Sequence, residues 1–175
     1  MSFTNPQDTL RELGLHPGME VADLGAGGGH YTLAAARIVG ESGHVCAVEI
    51  QKDLVTKLKN EAEQAGFSCV DVVWSDLGKA EGSTLKGESI DIVILSNVLF
   101  QAQDKAALLA EGYRILRPSG KLLLIDWSDS HGGLGPRPDH VVKRDVALKL
   151  AESTGFSVSG DASTGTHHWG VILVK

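Results

Sequence analysis

The sequence predicts an α/β domain: a doubly wound parallel sheet, covered by helices on both faces and finished by an antiparallel hairpin. Three observations predict it. Strand-length apolar runs alternate with amphipathic helical stretches across residues 19–127, the pattern of successive parallel βαβ units. Two of those runs, Ile92–Leu95 and Leu122–Ile125, are apolar throughout, as strands covered on both faces require. The last two strand-like runs, Phe156–Asp161 and His168–Val174, are joined only by Ala162–His167. That connection is too short for a crossover helix, so the pair reads as a hairpin.

The elements follow in order. Asn5, Pro6, Asp8 and Gly14 are start and stop signals for a helix over Thr4–Gly14, and His16-Pro17-Gly18 makes a turn, so residues 1–18 form an N-terminal helix and turn. Met19–Leu24 is the first strand. The next helix, His30–Val39, shares Leu33, Ala34 and Ile38 on one face. His44–Ile50 is the second strand, and Gln51–Ala65 a helix with Leu54, Leu58 and Ala62 aligned and Gly66 as its stop. Ser68–Trp74 and Ile90–Ser96 are the third and fourth strands. Asp104–Leu116 is a helix with Leu109, Tyr113 and Leu116 on a stripe, closed by a Pro118-Ser119-Gly120 turn before the fifth strand, Lys121–Trp127. Ser128–Asp139 is a loop rich in Gly, Ser, Asp and Pro. Asp139–Thr154 is a last helix that buries Val142, Val146 and Leu150 and stops at Gly155.

Bulk properties narrow the function. At 175 residues the chain fits one domain, 1–175, able to bury a full core without disulfide or metal. A net charge of −6 and the lack of any Lys/Arg run argue against a nucleic-acid partner. No apolar run reaches membrane-spanning length, and the first residues lack the basic-then-apolar pattern of a secretory leader, so a cytoplasmic protein is expected. Cys46 and Cys69 lie in apolar strand-like runs and read as buried, reduced thiols. No His/Cys spacing motif appears, so no metal site is expected.

The chemistry concentrates where the first strand enters the first βα turn, Val21-Ala22-Asp23-Leu24-Gly25-Ala26-Gly27-Gly28-Gly29. Glycines there let the backbone turn sharply and let a ligand touch the main chain, and the helix N-terminus that follows offers free N–H groups to an anion. A dinucleotide turn needs G-x-G-x-x-G. From Gly25 the third position is His30, and from Gly27 it is Thr32, so neither register fits. The motif that stands here is D-x-G-x-G-x-G, from Asp23, Gly25, Gly27 and Gly29.

In this motif, and in four that follow it, the chain resembles the class I S-adenosylmethionine-dependent methyltransferases over nearly its whole length. The others are the acidic end of the second strand (Glu49), the acidic residue after the third (Ser75-Asp76-Leu77), the Asp-led apolar strand Asp91–Asn97, and Leu116-Arg117-Pro118-Ser119-Gly120. The resemblance implies a Rossmann-like seven-stranded sheet in the order 3-2-1-4-5-7-6. It implies S-adenosylmethionine as cofactor, leaving S-adenosylhomocysteine as product. By resemblance, Gly25, Ala26, Gly27 and Gly29 form the turn against its methionine part, whose ammonium Asp23 orients. Glu49, with Ile50 beside it, accepts from both ribose hydroxyls, as an acceptor-only carboxylate can. Asp76 accepts from the adenine amino group next to the Leu77 N–H, and Ser96 and Asn97 close the floor where the methyl group emerges. The resemblance is closest to the broad methyltransferase type 11 group.

Acceptor-side residues are expected at the carboxyl ends of the strands. Candidates are Asn97, Gln101, Asp126, Trp127, His131 and His168. Asn97 would orient a hydroxyl or amine, or else shape a turn; Asp126 would be a base, or else cap a loop. His131 sits in a loop able to cover the pocket, and His168 opens the last strand. The small insertions leave no recognition domain, which points to a small-molecule or lipid-like acceptor. Two other readings compete: a non-catalytic cofactor-binding subunit of a methyltransferase complex, and a nucleotide-dependent oxidoreductase, which the glycine spacing opposes.

Overall fold

The structure, a computed structural model, describes residues 5–175. The first expected helical residue, Thr4, lies outside them. Asn5 starts the first helix by accepting the Gln7 N–H at 3.0 Å, with Pro6 at the first helical position, and Gly14 ends it. This helix, α1 (Pro6–Leu13), is followed by β1 (Glu20–Leu24), α2 (His30–Val39), β2 (His44–Glu49), α3 (Lys52–Gln64) and β3 (Val70–Trp74). The second half runs β4 (Ile90–Ser96), α4 (Lys105–Ile115), β5 (Leu116–Trp127), α5 (Arg144–Thr154), β6 (Ser157–Asp161) and β7 (His168–Val174).

The sheet order is β3-β2-β1-β4-β5-β7-β6, as expected. β1 to β5 pair in parallel, and β7 runs antiparallel between β5 and β6. Alternation along the central strands sends side chains to two cores. Val21, Ile92, Ile94, Leu123 and Ile125 pack with Leu10 and Leu13 of α1 and Ala35 and Val39 of α2. Ala22, Leu24, Val93, Leu95, Leu122 and Leu124 pack with Leu108, Leu109 and Ile115 of α4 and with Ala147 and Ala151 of α5. The chain winds outward from β1 to β3, then returns to β4 beside β1. The crevice beyond the carboxyl ends of β1 and β4 is therefore the place where this topology opens for a ligand.

Several boundaries differ from expectation. The last helix starts at Arg144, because Pro138–His140 forms a separate single turn. Its buried face is Ala147 and Ala151; Val146 is 46% exposed, and Val142 is buried ahead of the helix. Leu148 and Leu150 pack half-buried on the same core. Leu116 does not extend α4; it opens β5 opposite Ile90, and the ladder resumes only at Lys121 opposite Ile92. Pro118-Ser119-Gly120 is thus an outward bulge in a long strand, with Ser119 in the left-handed region at φ 65°. The α4 stripe is Leu108, Leu109, Gly112 and Ile115, while Tyr113 meets Phe156 edge-on at 5.1 Å. α3 buries Val55, Leu58 and Ala62, with Leu54 half-buried. α2 buries Ala34, Ala35, Ala36 and Val39, leaving Leu33 and Ile38 at the margins. Cys46 and Cys69 are buried free thiols, though Cys69 precedes β3. Among the described residues, no helix is long and apolar enough to cross a membrane.

Candidate active site

β1 delivers Asp23 and Leu24 to a turn whose N–H groups at Gly25 and Ala26 donate to the Val48 carbonyl at 2.8 and 3.0 Å, joining it to β2. Gly25, Gly27 and Gly29 all have positive φ. Their surroundings separate their roles. A Cβ on Gly29 would lie 2.2 Å from Leu58 Cδ1, and one on Gly25 would lie 2.5 Å from Val98 Cγ2. A Cβ on Gly27 would meet nothing nearer than the Gly25 carbonyl at 4.0 Å. Gly27 therefore leaves main chain open to the crevice, whereas Gly29 is a packing glycine for α3.

Glu49, the last residue of β2, is buried. One carboxylate oxygen accepts the Gly27 N–H at 2.9 Å and the other accepts the Gln51 N–H at 2.8 Å. The carboxylate thus braces the glycine turn, and each oxygen keeps a further lone pair. Asp23 is buried and accepts the Thr32 hydroxyl at 2.6 Å. Burial pushes its carboxyl up to about 6; the hydrogen bonding from Thr32 pulls it back, and the Glu49 charge adds to the rise. Asp76, after β3, accepts the Gly78 N–H at 2.9 Å and turns the chain across the mouth of the crevice. Beside it the Trp74 indole donates to the Ile50 carbonyl at 2.8 Å, which shapes the rim next to the exposed Ile50 side chain.

β4 ends at Ser96, and Asn97 then takes a left-handed conformation at φ 59°, its N–H donating to Ile125 O at 2.9 Å. Among the described residues, two buried side-chain polar atoms have no partner: Asn97 Oδ1 and His168 Nε2. Both residues line the same cleft of about 1250 Å³ that contains the glycine turn, Glu49 and Asp76. Every residue expected on the cofactor side lines it except Gly29: Asp23, Gly25, Ala26, Gly27, Glu49, Ile50, Asp76, Leu77, Ser96 and Asn97. Tyr31, Gln101, Leu108, Trp127, Thr164 and His168 also line it.

The acceptor-side candidates divide. His168 lies against Trp127 with ring centroids 4.2 Å apart, and burial lowers its imidazole's affinity for a proton, with repulsion from His167 adding to it. Asp126 does not line the cleft. It is fully buried, accepts the Phe100 N–H at 2.9 Å and the Trp127 N–H at 2.7 Å, and so ties the segment after β4 to the end of β5. Burial pushes its carboxyl up to about 6. His131 is also outside the lining, with its ring turned to His167 at 3.5 Å between centroids. Tyr31 was missed by sequence reasoning; its place in the first turn after the glycines was the available signal. Its phenol, largely desolvated, is pushed up to about 12.

These residues fit S-adenosylmethionine: open main chain at Gly27, a braced carboxylate one strand over, and a buried unpaired acceptor at Asn97. Residues 15–162 match a family model described as a methyltransferase domain. The ubiquinone/menaquinone biosynthesis C-methyltransferase UbiE of Shewanella halifaxensis is 28% identical over 160 residues, covering 89% of this chain and 60% of that protein. The protein of the same name from Vibrio vulnificus (strain YJ016) is 33% identical over 115 residues, covering 66% of this chain and 44% of its own length. The chain thus spans 60% or less of the length of these relatives. The crystal structure of a SAM dependent methyltransferase from Aquifex aeolicus matches at TM-score 0.88 and 27% identity, covering 98% of this chain and 90% of that one. With this strand order, this glycine turn and a family match across most of its residues, the chain belongs to the methyltransferase-domain family, on the class I S-adenosylmethionine-dependent fold.

Proposed function

We propose that the chain transfers a methyl group from S-adenosylmethionine to a small, planar, largely apolar acceptor of the quinone-precursor type, at a ring carbon. One observation carries the reading: a single cleft runs from the braced glycine turn to an aromatic end at Trp127 and His168, and the two unpartnered buried polar atoms belong to residues lining it. The names of the relatives favour a quinone-type acceptor and a carbon target.

When bound, the sulfonium supplies an electrophilic methyl group for in-line displacement. The chain's own work is positioning and exclusion of water, and proximity alone is worth about 7–11 kcal/mol of barrier. Glu49 holds the ribose hydroxyls, Asp76 and the Leu77 N–H take the adenine edge, and Asp23 balances the ammonium. Ser96 and Asn97 form the floor. On the acceptor side, Trp127 offers a flat apolar wall. Asn97 Oδ1 accepts from one hydroxyl of the quinol, and His168 Nε2, in the tautomer protonated at Nδ1, takes the proton of the other to activate the ring carbon, which sheds its own proton to solvent once the methyl group is attached.

Two measurements test this. Calorimetric titration with S-adenosylmethionine and S-adenosylhomocysteine reads the cofactor half; absence of binding by both overturns it. Transfer of labelled methyl from S-adenosylmethionine to demethylated quinols reads the acceptor half. Turnover confined to amines or thiols overturns the ring-carbon assignment while leaving methyl transfer intact.

A further inference from the structure

A second cluster of side chains lies beside the cleft. In the β5–β7 ladder, Trp127 pairs with His168, and just beyond it the Ser128 N–H donates to the His167 carbonyl at 2.8 Å. That geometry brings Asp129 and His131, which leave β5, against His167, which enters β7. Asp129 approaches His167 Nδ1 at 3.0 Å, and its other carboxylate oxygen accepts the His131 N–H at 2.7 Å. The ring centroids of His131 and His167 are 3.5 Å apart. Each of the three residues offers one ligand atom, and these atoms all lie within 4.8 Å of one another.

We propose that Asp129, His131 and His167 form a binding site for a divalent transition ion, Zn²⁺ or Ni²⁺ in character, that clamps the segment after β5 to the β6–β7 connection. An Asp129–His167 ion pair accounts for two members. It leaves the His131 ring, which makes no hydrogen bond among the described residues, tilted against its neighbour without a polar partner. The donor set selects the ion. Two imidazoles and one carboxylate suit Zn²⁺, Ni²⁺ or Co²⁺, whereas Mg²⁺ and Ca²⁺ favour all-oxygen cages. Zinc sits about 2.0–2.2 Å from nitrogen and oxygen ligands, which sets neighbouring ligand atoms of a tetrahedral site roughly 3.3 Å apart. Side-chain rotation at this part-exposed rim closes the remaining gap. Three protein ligands leave at least one position for water.

The placement supplies the consequence. Thr164, Gly165 and His168 line the cleft, so an ion here would stiffen the rim from outside without occupying the cleft. The adjacent His167 and His168 point to opposite sides, one to the cluster and one to the cleft, as successive strand residues do. Nothing in this proposal depends on methyl transfer.

The test uses the untagged chain freed of metal by chelation, titrated with Zn²⁺ by calorimetry and with Co²⁺ by visible absorption. One ion per chain is expected. Loss of a group that merely orients a ligand weakens a metal site by roughly 10–100-fold, so His167→Ala and Asp129→Asn should each weaken binding at least that much. His131→Asn should do the same while keeping a residue tolerant of the φ of 42° found there. His16→Ala and His140→Ala, at exposed histidines elsewhere, should change nothing. Zn²⁺ should also slow amide exchange in segments 128–135 and 163–168. Equal affinity in the His167→Ala/Asp129→Asn double variant overturns the site, as does binding lost only in the control variants. Binding without added protection in those segments overturns the clamp.

Discussion

At the scale of single residues, the glycine turn separates two physical roles that look alike in the sequence. Gly27→Ala places its methyl in open space and strains the backbone by about 1–2 kcal/mol. Its main expected effect is weakened S-adenosylmethionine binding with the fold retained. Gly29→Ala combines the same backbone strain with a clash into Leu58 and should lower stability by about 2–4 kcal/mol in urea titrations. Adding Leu58→Ala relieves the clash but not the strain. Asp23 gives a pH signature. Its carboxyl titrates from a normal 3.8 when unfolded to about 6 when buried. Between those values the native chain keeps a proton that the unfolded chain has lost, so this group's contribution to stability falls as pH rises through that window. Cofactor binding runs the other way, because an ammonium needs the charged carboxylate. Affinity for S-adenosylmethionine should rise from about pH 5 to about pH 7, and Asp23→Asn should flatten that rise in calorimetry.

At the scale of elements, the segment after β4 is the part of the site most dependent on support from elsewhere. Asn97 holds a left-handed conformation, and the buried Asp126 accepts N–H groups from Phe100, three residues on, and from Trp127. Asp126→Ala strands two half-buried donors, each worth up to about 1–3 kcal/mol, and should both destabilise the chain and slow turnover through displacement of Asn97. Denaturant titration and steady-state kinetics read the two effects. Most helices were legible because their caps and apolar spacing are local. α5 was legible only in part: of Val142, Val146 and Leu150, Val142 is buried ahead of the helix and Leu150 packs half-buried against the core, while Val146 is exposed and Ala147 and Ala151 form the buried face. A similar contact fixes α4, where buried Glu111 accepts from the Ser83 backbone and hydroxyl and from Arg114. Nothing near Glu111 in the chain announces that partner.

At the scale of the whole molecule, a ligand that binds only the folded form adds its binding free energy to stability. S-adenosylhomocysteine at about 100 times its Kd should add about 2.7 kcal/mol. For a domain of this size that raises Tm by roughly 5–11 °C in a thermal-shift assay. NADH at the same concentration should leave Tm unmoved, because the turn lacks the dinucleotide spacing.

Beyond the strand order, which the family resemblance implies, the sequence by itself determined the strand-helix alternation, the two-sided cover of the sheet and the glycine turn with its flanking acids. Those features rest on spacings within a strand and its following turn: apolar runs, glycines, and acids at the tips of β1, β2 and β3. The acceptor half was decided only by tertiary structure. Strand pairing sent Asp126 into the core, turned His131 away to meet His167, and left Asn97 Oδ1 and His168 Nε2, in residues lining one cleft, without partners among the described residues. Those outcomes depend on contacts between segments tens of residues apart, which no local periodicity records.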